Sequence, residues 1–345
     1  MSTYVITGAS GFVGNNLIRL LNTQESDAHI RALVQPGAHT TSLQGLSCSI
    51  YEGDITKPDT LTNAFFIPEE QAADGVYVIH CAGIIDISAK PNPSLHKVNV
   101  EGTAHVVNAT QELAKHISVQ PKFIHVASVH AIPEASKGQI ITEPDHYDPS
   151  VVVGQYAKSK AEAAQLVLDR LRAGDLSGCI MLPSGILGPF DFSPENMKEL
   201  ITKVARGELS VCVTGGYDFV DVRDVVQGIL AACHQGKNGR SYLLTNRQVL
   251  IKEVCDEARA FAGLPPMKAV LPLWLAKLGA PLCELYYQVK HEVPLFTSYA
   301  LHTLDSNSHF SHARATAELG YTTRPLQETI FDMMAWMELA DGLNS

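Results

Sequence analysis

The sequence predicts an α/β fold, a doubly wound parallel sheet followed by a smaller and mainly helical region. Three observations carry that expectation. Short β-branched apolar runs alternate with helical patterns through the first half of the chain. A glycine-rich turn joins the first of those runs to the first helical pattern. Past residue 183 the alternation lapses, Pro and Gly become frequent, and helical patterns dominate. A strand–helix–strand rhythm requires parallel pairing, with helices on both faces of the sheet.

Taken in order, strands are expected at 3–7, 28–34, 47–52, 76–81, 121–127 and 178–182. Helical patterns occupy about 12–22, 57–66, 94–116 and 153–173. Residues 1–183, joined by a return to the sheet at about 215–243, form the expected nucleotide-binding domain. Residues at about 184–214 and 245–330 form a cap over the carboxyl ends of the strands, where open α/β sheets bind ligands.

Composition narrows the function classes. The chain has 345 residues, 46% hydrophobic and 18% charged, which is ordinary for a globular protein. Its net charge of −10, with no basic run longer than two, argues against a nucleic-acid partner. Seven cysteines without a C-x-x-C pair argue for a reducing compartment, so a cytoplasmic location is expected. A first strand beginning at residue 3 leaves no room for a signal peptide. The most apolar stretch, 269–287, is interrupted by Pro272, Lys277 and Pro281, so no membrane span is expected. Fourteen histidines show no H-x-x-x-H or H-E-x-x-H spacing, and no metal is expected.

The turn at Gly8, Gly11 and Gly14 is the most informative stretch. Gly8 permits a tight turn, Gly11 lets backbone N–H groups approach a pyrophosphate, and Gly14 lets the helix pack on the strand. The helix N-terminus adds oriented donors and partial positive charge. Ser10, Phe12 and Val13 complete the candidate dinucleotide loop.

Tyr156 and Lys160 stand one turn apart at the start of a helical run, hence on one face. A phenol with pKa near 10 is a poor proton carrier at neutral pH, but a nearby ammonium and an oxidised nicotinamide favour the phenolate. A fall of ~3 units corresponds to about 4 kcal/mol. The spacing recurs at Tyr286 and Lys290, so position decides between the two pairs. Tyr156 lies 28 residues beyond Ser128, which ends the apolar run 123–127 and so sits at the carboxyl end of a strand. Tyr286 has no such serine upstream.

With these residues the chain resembles the extended short-chain dehydrogenase/reductase superfamily. The resemblance runs through Gly8/Gly11/Gly14, Gly53-Asp54-Ile55, His80-Cys81-Ala82-Gly83, Asn99-Val100-Glu101-Gly102-Thr103 and Ser128. It continues through Tyr156/Lys160, residues 182–189 and residues 219–225, in the family's order. It implies a catalytic triad of Ser128, Tyr156 and Lys160. Ser128 would donate to the substrate oxygen, and Tyr156 would exchange a proton with it as hydride moves at the nicotinamide. Lys160 would hold the nicotinamide ribose and depress the Tyr156 pKa. Asn99 would either support a water-linked proton path or bond neighbouring backbone. Asp54 and Ile55 would hold the adenine, Ala82 and Gly83 the middle of the cofactor, and Pro183 and Ser184 the nicotinamide. His80 would pack, and His130 is a candidate substrate contact. Asp221 and Asp224 would tie the cap to the sheet.

There are two departures. Leu182 stands where many relatives carry Arg. At the end of the second strand, an acid would select NAD and an Arg NADP. Gln35 does neither decisively, and Arg31 comes early in the strand, as a cofactor candidate or a solvated edge residue. NADP(H) and NAD(H) both stay open.

The cap carries few basic residues to grip a nucleotide diphosphate. It carries apolar runs at 271–280, 285–287 and 294–296 instead, and is similar to 3β-hydroxysteroid dehydrogenases and dihydroflavonol-4-reductase-like enzymes. The expected activity is therefore an NAD(P)-dependent oxidoreductase interconverting a secondary alcohol and a ketone on a small hydrophobic molecule. The alternatives are a nucleotide-sugar epimerase/dehydratase with tightly bound NAD, or a dinucleotide sensor without turnover. The resemblance also implies a homodimer through the helices at about 94–116 and 153–173.

Overall fold

Thr3–Thr7 (β1) is buried at every position, and successive side chains enter different cores. Tyr4 and Ile6 face one, Val5 the other. A strand covered on both faces needs this continuous β-branched and aromatic character. The computed structural model describes residues 1–86, 91–193, 196–278 and 298–343.

The remaining sheet strands are β2 (His29–Val34), β3 (Ser49–Glu52), β4 (Val76–His80), β5 (Lys122–Val126) and β6 (Ser177–Pro183). β7 (Gly185–Leu187), β8 (Val211–Val213) and β9 (Gly216–Asp221) follow, then β10 (Ser241–Leu244), β11 (Arg247–Leu250) and β12 (Ala269–Leu271). The main sheet is seven-stranded and parallel throughout, in the order β3-β2-β1-β4-β5-β6-β10. Strand order reverses between β1 and β4, which opens a crevice above their carboxyl ends. β7 and β9 run parallel in a second sheet that β11 joins antiparallel, and β8 pairs with β12.

The helices are α1 (Phe12–Gln24), α2 (Thr62–Phe65), α3 (Glu69–Ala72), α4 (Pro93–His96) and α5 (Gly102–Ala114). Beyond them come α6 (Gln155–Ala173), α7 (Asn196–Ala205), α8 (Val222–Gln235) and α9 (Ile251–Phe261). The last three are α10 (Ser298–Asp305), α11 (Ala313–Leu319) and α12 (Leu326–Leu343). α1 packs beside α8, and α5 beside α6. The two pairs cover opposite faces of the sheet, their buried residues falling in separate cores.

Several expectations shift. The pattern at 94–116 is one helical path interrupted by a π turn, Lys97–Glu101. Position 57–66 begins as a 3-10 turn, with Pro58 at its start, before α2. Of the stretch 215–243, β10 joins the main sheet and α8 covers it, whereas β9 belongs to the second sheet. Tyr286, Lys290 and the runs 285–287 and 294–296 lie outside the described residues. Among the described residues no helix is long and apolar enough to cross a membrane, and no cluster of His, Cys, Asp and Glu is arranged to hold a metal ion.

Candidate active site

The glycine turn emerges from β1 directly into the crevice. Gly8 has φ of 65°, a left-handed conformation that glycine adopts without steric cost, and a Cβ there would stand 2.8 Å from Ala82 Cα. A Cβ on Gly14 would run into the Gly8 carbonyl. Gly11 is the N-cap of α1, and no side chain caps that terminus. The first-turn N–H groups, carried by Phe12, Val13 and Gly14, are thus left to an anionic ligand. This cradle fits a dinucleotide pyrophosphate.

Ser10 is held from below, its carbonyl accepting from Ser42 Oγ at 2.8 Å. Ala82 is fixed by a chain of hydrogen bonds whose direction can be derived. Thr103 Oγ1 donates to the Asn99 carbonyl at 2.6 Å, so it accepts from His80 Nε2 at 2.9 Å. His80 therefore carries its proton on Nε2, and its Nδ1 accepts from Thr7 Oγ1 at 2.7 Å. Thr7 Oγ1 in turn accepts from the Ala82 N–H at 3.1 Å. Burial holds His80 down at about 3, so the ring stays neutral and the chain keeps its direction.

The π turn turns Asn99 toward the loop after β4. Its Oδ1 accepts from Ile84 N at 2.9 Å, and its Nδ2 donates to Ile84 O and to Ser159 Oγ, each at 3.0 Å. Ser159 Oγ donates to the Tyr156 carbonyl at 2.8 Å. One side chain thus joins the cofactor ledge to the helix that carries Tyr156. An inserted turn of this kind re-aims a side chain that a regular helix would point elsewhere.

Ser128 ends the loop after β5, and its Oγ accepts from the His130 N–H at 3.2 Å. The serine proton is thereby left for another acceptor. Tyr156 and Lys160 share the buried face of α6. Lys160 Nζ donates to the Val126 carbonyl at 3.5 Å, two residues before Ser128. A Cβ on Gly83 would stand 3.3 Å from Lys160 Nζ and 3.1 Å from Asn99 Oδ1, so a side chain there would crowd both. Burial lowers Lys160 to about 8. The structure brings Gly83, Asn99, Ser128, Tyr156 and Lys160 to one end of the sheet.

Other candidates lie differently. Arg31 is neither a solvated edge residue nor directed at the strand end. It is buried, with its guanidinium donating to the carbonyls of Asn63, Ala64 and Phe66 and lying over the Tyr51 ring. A side chain that reaches the end of α2 cannot also reach the end of β2. Gln35 is exposed at that end. Asp54 Oδ1 accepts from the backbone and hydroxyl of Thr56, and Ile55 packs against Gly102 with its carbonyl bonded to His105. Pro183 closes β6, and Ser184 Oγ donates to buried Asp218 at 2.5 Å. Burial raises Asp218 to about 6. Asp221 caps α8 and binds Arg223, while Asp224 pairs with Arg324. Leu182 is fully buried.

His130 is flanked by two residues that sequence patterns did not single out. Tyr217 OH meets its Nε2 and Tyr299 OH its Nδ1, both at 3.2 Å. The His130 ring lies edge-on to Tyr156, with centroids 5.6 Å apart. Tyr217 stands two residues before the segment 219–225 that carries the family resemblance. Tyr299 carries no local signal, because its partner is 169 residues away. Burial holds His130 down at about 4. These rings border a narrow cleft of about 30 Å³ with Ile132, Ile141, Val152 and Phe310, and no Lys or Arg is among the described residues lining it.

The chain is similar to known proteins over almost its whole length. The description "NAD dependent epimerase/dehydratase family" fits residues 4–245. Sterol demethylase protein B of Methylococcus capsulatus is 27% identical, covering 97% of this chain and 98% of that protein. Human 3 beta-hydroxysteroid dehydrogenase type 7 is 24% identical, covering 98% and 96%. The crystal structure of gox2253 superposes with a TM-score of 0.80 at 29% identity, covering 98% of each chain.

Proposed function

The chain belongs to the NAD dependent epimerase/dehydratase family, and on that premise we propose that it interconverts a secondary alcohol and a ketone on a hydrophobic, steroid- or flavonoid-like molecule. A bound nicotinamide supplies or accepts the hydride. Ser128, whose Oγ already accepts from His130 N, donates its own proton to the substrate oxygen. Tyr156 gives or takes the proton at that oxygen, and the buried ammonium of Lys160 favours its phenolate. Asn99 acts by holding the Ile84 backbone and, through Ser159, the first turn of α6.

The observation that carries the substrate class is the wall beside His130. Its aromatic and aliphatic members, Tyr217, Tyr299, Ile132, Ile141, Val152 and Phe310, stand beside polar Glu134, Thr303, Ser306 and Asn307, with no described Lys or Arg. Several cations of the second half of the chain are engaged elsewhere. Lys198 donates to the carbonyls of Asp191 and Ser193, Arg223 pairs with Asp221 and Asp332, and Lys277 pairs with Asp305. Among the described residues lining the cleft, no Lys or Arg stands ready for a diphosphate. The relatives named for sterol and steroid chemistry support the same reading. A space of about 30 Å³ admits roughly one water, so a polycyclic substrate requires the cleft to widen.

The test follows nicotinamide absorbance with panels of steroids, flavonoids and small carbonyls, using NADH and NADPH in parallel. Turnover with a ring-bearing ketone or alcohol supports the proposal. Demonstrated cofactor binding without turnover of any panel member overturns it. The second reading, a nucleotide-sugar epimerase/dehydratase, would show itself as dinucleotide that stays bound through purification and does not exchange with free cofactor.

A further inference from the structure

Tyr299 touches the supports of two proposed catalytic groups at once. Its hydroxyl meets His130 Nδ1 at 3.2 Å, and His130 N in turn donates to Ser128 Oγ. Its ring lies on Gly154, where a Cβ would stand only 2.5 Å from Tyr299 Cε2. Gly154, with φ of 93°, is the N-cap of α6, two residues before Tyr156. The glycine thus meets two demands, a left-handed backbone and a ring pressed onto the chain.

The other side of His130 is equally constrained. Tyr217 stacks on it with centroids 5.9 Å apart and bonds Nε2. A neutral imidazole has one donor and one acceptor nitrogen, so one tyrosine donates to the ring and the other receives from it. Removing either hydroxyl leaves the ring free to turn. Tyr299 reaches this place from α10, which is joined to the loop after Ser128 by a hydrogen bond between His302 and Glu134 and an ion pair between Lys137 and Asp305, both solvent-exposed. Such pairs bind weakly, and α10 is seated by buried Leu301 against Val213, by Leu304 against Gly215, and by Tyr299 on Gly154 and His130.

We propose that Tyr299 is a positioning residue that sets Ser128 and Tyr156 together, through its bond to His130 and its packing on Gly154. The inference rests on the reading above only for its kinetic arm. Hydrogen exchange of the amides at 128–133 and 154–158 is compared in the full-length wild type, Tyr299→Phe and Tyr299→Ala, without substrate. Tyr299→Ala should speed exchange in both segments at least tenfold, with exchange in β1 and β4 unchanged. Tyr299→Phe keeps the ring on Gly154, so it should protect 154–158 as the wild type does and loosen only 128–133.

With whichever ketone the wild type reduces, kcat should fall at least tenfold in Tyr299→Ala and several-fold in Tyr299→Phe. KM for the dinucleotide should change less than twofold. Wild-type exchange in both segments of Tyr299→Ala overturns the inference, as does an effect confined to substrate KM. If Tyr299→Ala does not fold, wild-type exchange at 128–133 in Tyr299→Phe overturns it equally. If the wild type turns over no carbonyl, the function reading fails while the exchange data still decide this one.

Discussion

The two sides of the cleft are built from different materials. On the cofactor side the recognising surface is mostly backbone, at Gly8, Gly11, Gly14, Ala82 and Gly83. Buried side chains stand behind it, and the Thr7–His80–Thr103 chain holds it rigid. On the proposed substrate side the surface is side chain, with His130, Tyr217 and Tyr299 contributed by three distant segments. At Gly8 and Gly14 any side chain would strike backbone, whereas rings that meet through hydroxyls can be exchanged one at a time. The contrast accounts for one shared cofactor site serving many substrates across a family.

The largest effect should come where the two sides meet. Tyr156→Phe should lower kcat by about 10²–10⁴-fold, the usual yield of general acid–base catalysis, with dinucleotide affinity unchanged by fluorescence titration. A loss of cofactor binding instead would blur the division between the sides. Gly14→Ala should act on the cofactor side alone, weakening dinucleotide binding about 100-fold, because the added methyl strikes the Gly8 carbonyl. Calorimetric titration against the wild type measures it.

Lys160 separates stability from function. Burial holds it at about 8, below its ordinary value of 10.5. A cation with a depressed folded pKa costs stability while charged, below pH of about 8, and that cost fades as pH rises toward the unfolded value. Lys160→Met should therefore raise Tm at pH 7, by a gain of about 3 kcal/mol at most, and the gain should shrink by pH 10. Activity should be lost throughout. A lower Tm at pH 7 would contradict the sign.

The smallest effect concerns the phosphate preference of the cofactor. Gln35→Arg should shift the ratio of NADPH to NADH efficiency upward by about tenfold, through a charge at the end of β2. Arg31→Ala should leave the ratio unchanged and lower stability by about 1–3 kcal/mol, since the carbonyls of Asn63, Ala64 and Phe66 lose their donor, the Ala64 bond being buried. A changed ratio in Arg31→Ala would put that residue back at the cofactor.

The same contrast explains what could be read from the chain. The first six strands and the glycine turn were legible because hydrophobic period, turn chemistry and helix start all lie within a few residues of one another. Ser128, Tyr156 and Lys160 were legible as a strand end and a helix face. The π turn at Asn99 was not, because it depends on Ile84 in a separate loop. Arg31 was misread because strand alternation says which face a side chain takes, not how far it reaches along the sheet. Tyr217 and Tyr299 lay beyond reach for a further reason, since both depend on cap segments that return over the site from far along the chain.

The most direct test of the account follows one labelled hydrogen. The wild type is given reduced nicotinamide dinucleotide with both C4 hydrogens replaced by deuterium, together with a ketone it accepts, and the alcohol formed is examined by mass spectrometry. The account predicts one deuterium on the carbinol carbon of the released product, and loss of that product in Tyr156→Phe. Label retained in a dinucleotide that never leaves the protein, with the substrate epimerised or dehydrated instead, would contradict it.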